Sequence, residues 1–196
     1  MKAIKSTDDD IPTLLFPRQK DWADWLRKNH VKSSGIWLKF AKKAAGTKSV
    51  SYAEAVETAL CYGWIDGQKR SYDESWWLQK FTPRGAKSIW SKINKGKAED
   101  LIKSGHMKPA GLRAVERAKQ DGCWDAAYDS PSSANVPTDF QSRLNKSTKA
   151  QAFFATLDSA NRYAILFRIQ TAKKAETRAR RIEQFIEMLE RKEKLH

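Results

Sequence analysis

The stretch SYAEAVETALCYGWIDGQKRSYDESWWLQKF, residues 51–81, changes its hydrophobic period midway, and few folds accommodate such a change. Its first half is helical. Ser51 and Glu54 have capping-box spacing, Val56, Ala59, Leu60 and Gly63 mark one stripe, and Gly63 suits the position just past a helix end. The second half alternates instead. WIDGQKR and SWWLQKF flank SYDE as the two strands of a β-hairpin, with Trp76, Leu78 and Lys80 on one face and Trp77, Gln79 and Phe81 on the other. A capped helix that runs straight into a hairpin commits the chain to an α+β fold.

The rest of the chain extends that scheme. Trp22, Trp25, Leu26 and Asn29 follow the i, i+3, i+4, i+7 pattern of a helix over about Arg18–Asn29. In SSGIWLKFAKK the period drops to two, with Ile36, Leu38 and Phe40 facing one way and Trp37, Lys39 and Ala41 the other. The expected sheet is small and antiparallel, of about three strands packed with helices. TPRGAKS is turn chemistry leading into a helix that Gly105 stops, and Pro109 opens another that ends at the Asp121–Gly122 pair. YDSPSSANVPT offers little to bury, so a linker is expected at 129–138, between an α+β domain (1–128) and a helical C-terminal subdomain (139–196). In that all-helical last third, one short helix carries Phe153, Phe154 and Leu157. A second, capped by Ser159, carries Tyr163, Leu166, Phe167 and Gln170. A third has Ala179, Ile182, Phe185, Ile186 and Leu189 in register.

At 196 residues the chain is long enough to bury a core without staples. Cys61 and Cys123 stand far apart, with no zinc-type spacing around them, so neither a disulfide framework nor a structural metal is expected. Three aspartates sit where a signal peptide would need its apolar core, and no apolar run approaches membrane-spanning length. A cytoplasmic protein without membrane insertion is the expectation. The net charge of +14 favours nucleic acid or a phosphorylated small molecule as partner. Residues 64–97 concentrate it, with eight Lys or Arg against three acids.

That window also holds tryptophans, and the combination singles out a candidate site. Core positions reject charge and solvated faces reject indoles, so Trp64, Trp77 and Trp90 beside Gln68, Arg70 and Arg84 read either as buried packing or as the wall of a ligand site. On a regular strand Gln68 and Arg70 share a side, and with Arg84 folded back they would converge beside indole rings. Guanidiniums offer forked donors to phosphate, and indoles offer stacking and cation–π contact. Asp66 stands at the helix-to-strand corner, where it caps a turn, pairs with an arginine or meets a ligand. Ser88 and Asn94 flank the start of the next helix, where free backbone N–H groups attract anions. None of His30, His106 and His196 has a partner at triad or metal spacing, and PRGAKS lacks phosphate-loop spacing. No cofactor is implied. Arg178, Arg180 and Arg181 of the last helix are followed by Glu183, Glu187 and Glu190, as on a solvated face.

The segments YAEAVETALCYGWIDGQKRS, QKFTPRGAKSIWSKIN, WDAAYDSPSSANVP and NRYAILFRIQTAKKAETRARRIEQFIEML resemble the YdeI/OmpD-associated family, also called bacteriocin-protection proteins. The resemblance runs from about Trp22 to His196. It implies a stress-related role in protection against bacteriocins or cationic antimicrobial peptides, with envelope association in some descriptions, and brings no catalytic residue or cofactor. Asp66, Gln68, Arg84, Ser88, Trp90 and Asn94 match the family's motif positions. The expected function is a stress-related protein that holds an anionic or planar ligand, nucleic acid among the candidates, on the Trp/Arg-rich hairpin face. Two alternatives stand beside it: a hydrolase or transferase acting on a phosphorylated small molecule, with Asp66 as base and Arg84 as oxyanion stabiliser, and an interaction module built on the C-terminal helices.

Overall fold

A computed structural model of the chain describes residues 11–42 and 46–196. The acidic stretch Asp8–Asp10, which argues against a signal peptide, lies outside the described residues. The described residues form two compact units, one within 11–88 and 94–124, the other of 89–93 and 125–196.

The first unit is built on a mixed four-stranded sheet. Strands β1 (Thr13–Leu14), β2 (Ile36–Ala41), β3 (Trp64–Ser71) and β4 (Trp76–Pro83) lie in the order β1-β2-β4-β3. The β2, β4 and β3 ladders are antiparallel, as the alternation predicts. The added strand is β1, too short to announce itself in sequence, which pairs parallel to β2 with Thr13 opposite Trp37.

Helices α1 (Gln19–Asn29) and α2 (Tyr52–Cys61) cover one sheet face. Ile36, Leu38, Phe40 and Phe81 from the strands, and Trp22, Leu26, Ala55, Ala59 and Leu60 from the helices, are almost fully buried. Trp22 sits at the centre. Its ring centroid lies 5.4 Å from Phe16, 5.4 Å from Trp25, 5.7 Å from Phe81 and 6.3 Å from Trp64. Aromatic side chains of this size bury roughly 150–250 Å² each, and tilted or edge-on pairs add about 0.5–1.5 kcal/mol. The buried indole N–H groups are satisfied: Trp22 Nε1 donates to Ala55 O at 3.1 Å and Trp64 Nε1 to His30 O at 3.1 Å.

The capping box at the start of α2 is present, with Ser51 Oγ accepting from Glu54 N and Glu54 Oε2 accepting from Ser51 N. Gly63 ends the helix with φ +72°, a conformation open to glycine because it has no Cβ. Helices α3 (Lys92–Lys103) and α4 (Pro109–Gln120) follow, and Gly111 lets α4 approach the end of α2 closely.

The second unit is helical: α5 (Thr138–Leu144), α6 (Thr148–Ala155), α7 (Ser159–Gln170) and α8 (Ala175–Glu190). Helix α5 has only seven residues, too few to show a periodicity, and was not expected. The cap of α7 is Asp158, whose carboxylate accepts from Asn161 N at 2.8 Å, and Ser159 is the first helical residue. Phe140, Phe154, Ile165, Ile169, Phe185 and Leu189 form its core. Arg178 makes a two-pronged pair with Asp139, Nε to Oδ2 at 2.6 Å and Nη2 to Oδ1 at 2.9 Å. That hydrogen-bonded pair holds the Asp139 carboxyl below its ordinary range. Arg181 donates to Arg168 O, so two of the three arginines of this run are engaged within the unit, where Arg143 also pairs with Glu183.

Two substitutions test these constraints. A Cβ on Gly111 would lie 2.5 Å from Cys61 O and 2.7 Å from Leu60 O, backbone atoms that cannot yield. Gly111→Ala is expected to lower the urea unfolding free energy by about 1–3 kcal/mol. Lys192, just past α8, holds φ 58°, where a side chain is strained. Lys192→Gly is expected to raise stability by about 0.5–1 kcal/mol in the same assay.

Candidate ligand-binding face

Trp76 and Trp77 are neighbours on β4, so their indoles point to opposite faces of the sheet. On the inner face Trp77 stacks on Phe40, its partner across the ladder, with centroids 4.6 Å apart and planes at 20°. Tyr52, the first residue of α2, brings its ring to 5.9 Å from Trp77 and donates its hydroxyl to Asp66 Oδ2 at 2.5 Å. Lys69 completes the cluster, its Nζ 4.6 Å from the Trp77 ring centre.

Lys69 reaches this face because β3 is irregular. Asp66 pairs with Phe81 and Lys69 with Gln79, so Gly67 and Gln68 together oppose Lys80 alone. This is a β-bulge, and the extra residue reverses the alternation beyond it. Gln79 pins it. Its side chain is 4% exposed, and its Nε2 donates to Gly67 O at 2.8 Å. On a regular ladder Gln68 would stand opposite Gln79, next to Asp66, and Arg70 opposite Trp77; the bulge puts Lys69 opposite Gln79 and sends Arg70 to the outer face.

Two hollows open beside Trp77. The larger, about 660 Å³, has Phe40, Tyr52 and Trp77 as its aromatic wall, with Arg18, Lys42, Lys48 and Glu54 among its polar lining. The smaller, about 460 Å³, is lined among the described residues by Ala41, Lys42, Lys69, Arg70, Ser71 and Trp77, three of them cations. Both volumes lie within the roughly 300–1,000 Å³ typical of small-molecule sites. Glu54 is engaged with Ser51, whose hydrogen bonds hold its carboxyl below the usual range, so it stays charged and repels an anion. The cationic hollow therefore suits the anionic end of a ligand and the larger one its apolar or flat part.

On the outer face, rings and cations also alternate. Arg70 lies over Trp37 at 4.4 Å, with Lys80 at 5.8 Å from the same ring. Lys39 Nζ stands 4.2 Å from Tyr72 and 4.6 Å from Trp76. Trp37 is nearly sealed beneath this layer, packed with Ile11 and Leu78, whereas Tyr72 is 54% exposed.

The remaining candidates divide. Trp64 is core, 1% exposed among Trp22 and Trp25. Gln68 is exposed on the bulge. The expected convergence of Gln68, Arg70 and Arg84 is not found. Arg84 follows the far end of β4, roughly 20 Å of strand from the residue opposite Arg70. It is 6% exposed, its N–H donates to Gly63 O, and its carbonyl accepts from Arg117 Nη2. Ser88 closes a turn on Gly85, and Asn94 is half-buried in the first turn of α3. Trp90 belongs to the second unit and is 3% exposed. Sequence pattern does not mark Phe40, Tyr52, Lys42 and Lys69 as site residues. Only Lys69 had a visible clue, a glycine inside a strand pattern, which often marks a bulge.

No cluster of metal-ligating side chains occurs among the described residues. Cys61 is buried, which pushes its thiol up and makes it a poor nucleophile. No described helix is long and apolar enough to cross a membrane.

A helix-backed sheet with a cationic aromatic end defines the first unit. Residues 14–114 match a domain of unknown function (DUF8412), and the chain belongs to that family. Residues 133–192 match the family described as Bacteriocin-protection, YdeI or OmpD-Associated, so the resemblance holds over this helical segment. No curated protein and no solved structure matches the chain.

The bulge is testable apart from any ligand. Gln79→Ala removes its buried anchor and is expected to destabilise the chain by about 1–3 kcal/mol. Amide exchange should accelerate first at residues 66–70, and uniform acceleration across the sheet would argue against a local role for the amide.

Proposed function

We propose that this protein binds a ligand combining an anionic group with a flat ring, seated across Trp77. The observation that carries this reading is the pair of hollows that share Trp77 and Lys42, one rich in cations and the other in aromatic rings. The anionic group enters between Lys42, Lys69 and Arg70. The ring lies against Trp77 and Tyr52, taking over the indole surface that Lys69 now partly covers. Lys69 then trades a cation–π contact, worth roughly 0.5–2 kcal/mol, for a charge-assisted hydrogen bond. The positive net charge of the chain speeds encounter with such ligands. The bacteriocin-protection description of residues 133–192 suggests a protective role, and a stress-related, cytoplasmic setting is our inference from the sequence alone.

Calorimetry or saturation-transfer NMR with adenosine monophosphate, adenosine and inorganic phosphate tests this. The monophosphate should bind more tightly than either of its parts. Trp77→Ala should weaken it by about 1–3 kcal/mol, the usual contribution of a base stacked on an aromatic ring. Lys42→Ala, at a site that does not support the core, should weaken both monophosphate and phosphate. Equal affinity for all three probes, or an unchanged affinity in both variants, would overturn the reading.

A further inference from the structure

We infer that the physiological ligand is single-stranded nucleic acid, which wraps the end of the sheet from its inner to its outer face. This rests on the reading of the Trp77 site above and extends it to a polymer. Stacking surfaces occur on both faces of the same sheet end: Trp77 on the inner face, Trp76 and Tyr72 on the outer. A mononucleotide can occupy one of these faces. A ligand that repeats ring and charge along its length can engage both.

The path between them is cationic. The 460 Å³ hollow lies at this end of the sheet, where β2 finishes at Ala41–Lys42 and β3 at Ser71. Lys42 is held there, its Nζ donating to Asp73 O at 2.7 Å, and its backbone N–H is bonded to Ser75 O at 2.8 Å. Beyond the edge, Lys39 is poised between Tyr72 and Trp76, at 4.2 and 4.6 Å from their ring centres. Arg70 and Lys80 extend the positive field across the same face over Trp37. Rings interleaved with cations in this way are the common arrangement of sequence-tolerant single-strand binders. Duplex bases are already stacked on one another and cannot use these rings. A flat bilayer would meet only one face of the sheet end.

The test is fluorescence anisotropy with labelled oligothymidylates of two, four, eight and twelve nucleotides. A hairpin duplex and phosphatidylglycerol vesicles serve as comparison probes, and adenosine monophosphate as reference. Affinity should rise at least about tenfold between two and eight nucleotides as the outer rings become engaged. Tyr72→Ala alters an exposed ring and Lys39→Ala a half-buried side chain of the outer face. They should weaken the eight-nucleotide strand by about fivefold or more while leaving monophosphate affinity unchanged. The salt slope of log affinity should also become shallower by about 0.7 in Lys39→Ala, the amount expected for one lost phosphate contact on a single strand. An affinity independent of strand length would overturn the inference while leaving the monophosphate site intact. So would vesicle binding in place of oligonucleotide binding, or tighter binding of the duplex. Loss of monophosphate binding to the unmodified protein would instead remove the underlying site.

Discussion

One extra residue in β3 sets the chemistry of the first unit. Without the bulge at Gly67–Gln68, strict alternation would carry Gln68 and Arg70 to the inner face and leave Lys69 outside. With it, β3 sends a cation over an indole on each face: Lys69 over Trp77 inside, Arg70 over Trp37 outside. A buried glutamine amide holds this arrangement by closing on Gly67 O. The buried Gln79 amide would otherwise be desolvated without this hydrogen bond, so the irregularity is stabilised rather than merely tolerated.

The two sides of the sheet solve the problem of many tryptophans differently. Beneath the helices, Trp22 and Trp64 are buried with their N–H groups bonded to backbone carbonyls, and they act as packing volume. On the other face, Trp37 packs with Ile11 and Leu78, and the Arg70 guanidinium lies over its ring with the Lys80 ammonium further out. Long basic side chains cover apolar surface while their charged heads stay wet. Burying an indole in this way also builds a positive aromatic surface. Stability and ligand attraction therefore share residues, and the charge excess of the hairpin segment has a structural use as well as the proposed functional one.

Much of the first unit was legible because its signals are local. The capping box of α2 depends on Ser51 and Glu54 alone, the end of that helix on Gly63, and the faces of β2 and β4 on simple alternation. The C-terminal helices showed their apolar stripes, but α5 was too short to do so, and Asp158 rather than Ser159 supplied the cap of α7. The candidate site was legible only in outline. Trp77 and Arg70 fall in the hairpin cluster as read, whereas Trp64 is interior and Arg84 lies at the other end of the strand. Phe40 and Tyr52 come to Trp77 from β2 and α2 through pairing and packing, which no spacing in the chain expresses.

The amino-acid order by itself determined the α+β class, the element types, the basic excess and the crowding of indoles with cations in one hairpin. Each of these follows from periodicity, capping or composition within a few residues. The tertiary structure decided which indoles are core and which border a hollow, and which cation stands over which ring. Those outcomes depend on register, and a single inserted residue reverses register for every side chain beyond it.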